Sequence, residues 1–136
     1  MDLDAILQQR IVYALPAMET NTPQSDLVYK RLPDRVLHFD IYHPQMPTHQ
    51  PSPCVIFIHG NWPEPILPVA KSVDQAISWA QLVAAHGISA ITFTHRSTQR
   101  HTRVADAASD VVDLLQYVAR EHGTLDIDPG RLALFA

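Results

Sequence analysis

Cys54 to Ile58 (Cys-Val-Ile-Phe-Ile) is a continuous apolar run, rich in β-branched and aromatic residues, that breaks off at His59-Gly60-Asn61. A run so short and so uniformly apolar has no wet face. It reads as a strand buried on both sides, as in parallel sheets. Gly60 opens backbone conformations closed to other residues at the turn that follows. Open α/β sheets bind ligands beyond the carboxyl ends of their strands, so this turn is where a site is expected.

The rest of the chain supports, covers or extends that strand. Its 136 residues suffice for one domain with one core. The formal net charge is −4, and the arginines are scattered except around Arg96, Arg100 and Arg103, which argues against a nucleic-acid surface. With a single cysteine, Cys54, no internal disulfide can form, and its apolar setting predicts a buried thiol. Near Met1 no basic start precedes an apolar stretch, so no signal peptide is expected, and no apolar run is long enough to cross a bilayer. The expectation is a cytoplasmic protein with no membrane partner.

Taken in order, Leu3 to Leu15 reads as a short helix with Leu3, Ile6 and Leu7 on one side, and residues 16–25 read as a loop. Asp26–Lys30 and Val36–Tyr42 alternate apolar and polar, which suits an antiparallel edge joined through Pro33-Asp34. Four prolines in 44–53 mark a surface connection. Val73 to His86 has helical spacing through Val73, Ala76, Ile77, Ala80 and Val83, and Gly87 is placed to end it in a left-handed conformation. Ile88–Thr94 reads as a second buried strand, and His95 to Arg103 as a basic, polar loop. Val104–Arg120 reads as a helix whose apolar face holds Val104, Ala107, Ala108, Val111, Leu115 and Val118. Asp128-Pro129-Gly130 predicts a turn, and Arg131–Ala136 a third buried strand.

This order predicts an α/β fold, a mostly parallel central sheet with helices on both faces and an antiparallel N-terminal edge. Residues 1–35 form an N-terminal helix, loop and first edge strand. Residues 36–136 form the first part of a single domain, incomplete at its C-terminus, because the last strand has no helix to cover it.

Four stretches resemble the N-terminal half of an α/β-hydrolase of the esterase/lipase type. They are Phe39-Asp-Ile-Tyr-His-Pro44, Val55-Ile-Phe-Ile-His-Gly-Asn-Trp62, Ile91-Thr-Phe-Thr-His-Arg96 and Asp126-Ile-Asp-Pro-Gly-Arg-Leu-Ala-Leu-Phe-Ala136. The first looks like the family's D-x-Y-x-P strand ending, the second like its HGG-type oxyanion turn, the third like a strand ending in Tyr-Arg. The fourth resembles the run into the nucleophile elbow, G-x-S-x-G, which does not occur among these residues. The resemblance implies a serine-type carboxylic-ester hydrolase. This chain would supply the oxyanion amides of Gly60 and Asn61 but not the Ser/acid/His triad, and would be inactive without the missing C-terminal half, in the same or a separate chain. A small-molecule ester is the implied substrate. An amide-cleaving relative of the formamidase type, or a non-catalytic hydrolase-like scaffold, stands as the alternative. Asn61 departs from the family's usual second glycine.

Each candidate residue also has a plainer use. The resemblance makes His59 a loop-holding residue rather than a catalytic base. Trp62 either lines an acyl or alcohol pocket or packs under the proline-rich loop. Arg96 either pairs with Asp106 or Asp110 or meets a substrate, and the pair is favoured. Asp106, Asp110 and Asp113 recur at helical spacing, which reads as a solvated face, while the resemblance gives Asp110 a structural contact. The eight histidines show no His-x-x-x-His spacing, so neither a metal nor another cofactor is expected. Oligomeric state is open.

Overall fold

The computed structural model describes residues 2–136. Five strands form one sheet in the order β1-β2-β4-β3-β5: β1 (Gln24–Arg31), β2 (Val36–Tyr42), β3 (Ser52–Phe57), β4 (Ser89–Phe93) and β5 (Ile127–Phe135). The β1–β2 and β2–β4 pairs are antiparallel, and β3 runs parallel to both β4 and β5. The fold is mixed α/β, with a parallel centre and an antiparallel N-terminal edge.

Helices α2 (Asp74–Ala85) and α3 (Val104–Glu121) cover opposite faces. On the α3 side, Phe39, Ile41, Cys54, Ile56, Ile91 and Phe93 pack with Leu114 and Val118. On the α2 side, Tyr42 and Ala90 pack with Ala80 and Ala84, and Phe57 and Ile77 close around them. Strand alternation produces this division, since neighbours along a strand point to opposite faces. Cys54 is 1% exposed, and burial pushes its thiol up to about 12, so it acts as a small apolar filler.

Gly87 ends α2 with φ +81 and donates its N–H to the Ala84 carbonyl. This is the left-handed cap that its position predicted.

Four expectations are corrected. The first helix, α1, is confined to Leu3–Leu7 and buries no residue. Residues beyond it run as irregular chain against α2: Arg10 donates to Gln81 Oε1, Ile11 N–H to Ser78 Oγ, and Gln81 Nε2 to the Asn21 carbonyl. That cover buries Ser78 and Gln81, so α2 is enclosed beyond its apolar stripe. On α3, Val104 and Ala108 are exposed, while Asp110 and Leu114 are fully buried at the centre of the buried face. Asp-Pro-Gly at 128–130 is an excursion within β5. Ser52 pairs with Ile127 and Cys54 with Leu132, leaving four residues of β5 opposite one of β3. Finally, β5 is not buried: it is the edge of the sheet and mostly exposed, with Leu134 at 50% and Phe135 at 45%, in keeping with the open edge expected of a strand that no helix covers.

Candidate functional site

The carboxyl ends of β3, β4 and β5 meet at one edge, and parallel pairing sets their offsets. Phe57 lies opposite both Thr92 of β4 and Phe135 of β5, and Ile58 N–H donates to the Phe135 carbonyl at 2.7 Å. The chain leaves β3 at His59-Gly60-Asn61 and leaves β4 at Thr94-His95-Arg96, so the two exits run side by side.

His59 is engaged at both ring nitrogens. Nδ1 lies 2.7 Å from the Gly60 carbonyl oxygen, which only accepts, so Nδ1 carries the proton. Nε2 then accepts from the His95 backbone N–H at 3.3 Å. Burial, together with the adjacent His95 ring, lowers the His59 pKa to about 4 against the opposing hydrogen bond to Gly60. The ring is thus neutral, with both nitrogens engaged by backbone of the turn and of the β4 exit.

His95, read in the sequence as the start of a basic, polar loop, is instead 5% exposed and stacks on His59. Its Nε2 lies 3.0 Å from the His59 carbonyl and its Nδ1 2.8 Å from that of Arg96. The available signal was that both neighbouring parallel strands end in a histidine within three residues of their last paired position.

Gly60 is exposed, and a Cβ built on it meets nothing within 4 Å. Neither Gly60 nor Asn61 has a positive φ, so the turn does not use the conformational freedom that glycine was expected to supply. Trp62 N–H donates to the Gly60 carbonyl, whereas the Gly60 and Asn61 N–H groups donate to no acceptor among the described residues. The Asn61 side chain is engaged: its Oδ1 accepts from Ser97 Oγ at 3.3 Å and from Thr98 N–H at 3.2 Å. Asn61 therefore ties the β3 exit to the loop after β4.

That loop is anchored from below. Both Asp110 oxygens are taken by Arg96, which donates from its backbone N–H at 2.8 Å and from its guanidinium at 2.9–3.2 Å. Lys30 Nζ adds a bond at 2.6 Å. Burial works against the Asp110 charge, but bonds from Arg96 and Lys30 outweigh it and hold the carboxyl below its ordinary range. The solvated face expected for the three aspartates thus fails at Asp110, because two cations from other elements converge on it. Arg96 also lies 3.5 Å from Asp106, and Asp113 pairs with Lys30. Arg100 and His101 lie exposed in the loop, whereas Arg103 pairs with Asp106.

Gly60 and Trp62 border a pocket of about 200 Å³ beneath the 3₁₀ helix Leu67–Ser72 and the start of α2. Phe57, Val73, Ala76, Trp79 and Phe135 belong to its apolar lining, and His59, Lys71, Gln75 and Thr92 bring polar side chains to it. No group of three or more His, Cys, Asp or Glu side chains suited to a metal occurs among the described residues. No described helix is long and apolar enough to cross a membrane.

No protein-family model matches the sequence, and no curated protein matches it. Solved structures do. Esterase 2 of the planctomycete Thermogutta terrifontis is similar at 24% identity and a TM-score of 0.61, over 88% of this chain and 40% of that one. The same enzyme phosphorylated by paraoxon is similar at 22% identity and 0.61, over 93% and 45%. A bacterial heroin esterase is similar at 18% identity and a TM-score of 0.65, over 97% and 38%. These neighbours are esterases of the α/β-hydrolase superfamily, and the chain shares their fold. It spans less than half the length of each.

Proposed function

We propose that this chain is the oxyanion-bearing part of a serine-type carboxylic-ester hydrolase, acting on small esters. The observation that carries the reading is the Gly60 corner. Two adjacent backbone N–H groups lack acceptors, at a glycine that neither backbone conformation nor packing requires, on the rim of an apolar pocket. Such donors stabilise charge on a carbonyl oxygen as the tetrahedral intermediate forms, and removing one typically costs about 10²–10³ in rate.

The nucleophile, acid and histidine come from outside these 136 residues, which contain no G-x-S-x-G. The sheet favours that arrangement, because the hydrogen bond from Ile58 N–H to the Phe135 carbonyl sets the end of β5 beside the turn that follows β3. A hydroxyl carried just past β5 would start next to the amides of Gly60 and Asn61. On this reading residues 1–136 alone are inactive and depend on the remaining half of the fold. Trp62 borders the substrate, while His59, Arg96 and Asp110 hold the turn and the loop beside it. The tie from Asn61 to Ser97 and Thr98 supports a built turn over a decayed one, and so favours catalysis over a scaffold role.

The test is hydrolysis of p-nitrophenyl acetate by the full-length protein. Turnover abolished by a serine-reactive phosphonate is expected, with G-x-S-x-G following Ala136. A full-length protein with no nucleophile at that point, or no turnover, overturns the reading.

A further inference from the structure

The pocket beside Gly60 is not uniformly apolar, and its polarity follows from sheet register. Asp40 of β2 lies opposite Thr92 of β4, Thr92 opposite Phe57 of β3, and Phe57 opposite Phe135 of β5. One row across four strands therefore passes from carboxylate through hydroxyl to two aromatic rings. Phe57 meets both Trp79 and Phe135 edge to face, which closes the apolar end.

At the polar end, Asp40 is occupied. Its Oδ1 accepts from Lys71 Nζ at 2.7 Å and from the Asp26 backbone N–H at 2.9 Å, and Lys71 also bonds Asp26 at 2.9 Å. Thr92 is not occupied: its Oγ1 is buried with no hydrogen-bond partner, and the residue is 1% exposed. Ser89 and Thr98 carry the other unpartnered buried hydroxyls among the described residues, and neither borders this pocket. A buried hydroxyl without a partner is costly, and a ligand that supplies one recovers the loss.

Size and charge narrow the ligand. A cavity of about 150 Å³ lined by apolar side chains admits benzene, so about 200 Å³ admits one ring or a short branched chain. Lys71 faces two carboxylates, Asp40 and Asp26, so the group of three carries a net negative charge that opposes an anion. His59 contributes no positive charge at neutral pH.

We propose that the pocket binds a small neutral group, of roughly six or seven non-hydrogen atoms, whose apolar body lies against Phe57, Trp79 and Phe135 and whose hydrogen-bond acceptor meets the Thr92 hydroxyl. This deepens the ester-hydrolase reading and rests on it for the identity of that group, a substituent of the ester, but not for the binding itself. A neutral ketone or ether oxygen on the substituent is the distinguishing feature, where a plain alkyl chain would leave Thr92 unpartnered.

Cyclohexanone and benzene, similar in size, test this on the full-length protein, with binding followed by NMR shifts of Thr92 and Trp79. Thr92→Val is expected to weaken cyclohexanone about tenfold and leave benzene within about twofold, while Thr92→Ser keeps both. Ala76→Phe, which fills the pocket, is expected to abolish both. Cyclohexanone is also expected to inhibit p-nitrophenyl acetate hydrolysis competitively. Equal effects of Thr92→Val on the two ligands, or binding that survives Ala76→Phe, overturns the inference. Binding with this pattern in a protein that hydrolyses no ester leaves the pocket assignment standing and removes the esterase reading. Hydrolysis without cyclohexanone binding does the reverse.

Discussion

His59 and His95 lie face to face, ring centroids 3.8 Å apart and planes 6° from parallel, each contacting the other's backbone. The pair joins the exits of two parallel strands and holds the turn that carries the Gly60 and Asn61 amides. Its geometry requires His59 to be neutral with the proton on Nδ1. The His59 ring resonances are therefore expected to titrate with a midpoint at about 4. An unfolded histidine takes up its proton near pH 6.5. Between those values the unfolded chain binds a proton that the folded chain refuses, so stability falls as pH drops through that window and is unaffected above it. His59→Phe should remove this part of the pH dependence, read as the change in denaturation midpoint between pH 7 and pH 4.5.

Asp110 is the buried anchor for Arg96 and Lys30. Asp110→Asn keeps the volume and removes the charge, and should destabilise by about 2–3 kcal/mol. That is less than for a fully buried pair, because both cations reach solvent. The folded pKa is lowered, so the ion pair's contribution is present above the ordinary carboxylate range and is lost as pH falls through the depressed value. The gap between wild type and Asp110→Asn in urea denaturation should be full at pH 7 and shrink below about pH 4.

Gly60 and Asn61 should separate activity from stability. Gly60→Ala meets no neighbour and needs no positive φ, so its denaturation midpoint should match the wild type. A methyl group on the rim of the pocket should displace a bound ester and lower kcat/KM about a hundredfold in the full-length protein. Asn61→Gly should cost about 1 kcal/mol through loss of its bonds to Ser97 and Thr98. Equal losses of stability in the two variants would show that the Gly60 corner serves the fold.

Gly87 combines φ +81 with a close approach: an added Cβ would lie 2.9 Å from Thr48 Cγ2 and 3.2 Å from the Thr48 backbone nitrogen. Gly87→Ala should lower stability by about 1–2 kcal/mol from its conformation alone. Thr48→Ala in the same protein should recover only the part due to the side-chain contact, which thermal melts of the two variants would measure.

The existence and type of the elements followed from spacing: β3, β4, α2 ending at Gly87, the antiparallel β1–β2 pair, and with them the sheet's mixed character. Burial followed only in part, since β4 is buried throughout but β3 at alternate positions, β2 is buried from Phe39 to Tyr42 without alternation, and of the α2 stripe only Ala80 is buried. Where burial depends on a distant partner, the residues concealed it. The pairing of Arg96 with Asp110 was legible, but Asp110 still carries the signature of a wet helix face until Lys30, eighty residues away, closes on it. Ser78 and Gln81 look exposed until residues 10–21 cross them. Asp-Pro-Gly has the chemistry of a turn, and β5 absorbs it because β3 skips past it. Within the candidate site, Gly60 stood out by composition. His95, Lys71 and Thr92 did not, since their roles arise from register across the sheet.

The bond between Ile58 and Phe135 fixes how this corner can change over time. It ties the start of the Gly60 turn to the last residue of β5 through the ladder itself, at the spacing of neighbouring strands, about 4.8 Å. Loops around the rim can then be lengthened, recharged or exchanged without altering the separation between whatever follows β5 and the amides that follow β3. On the ester-hydrolase reading proposed above, ligand choice is free to drift while the alignment of the reacting groups is inherited from the sheet.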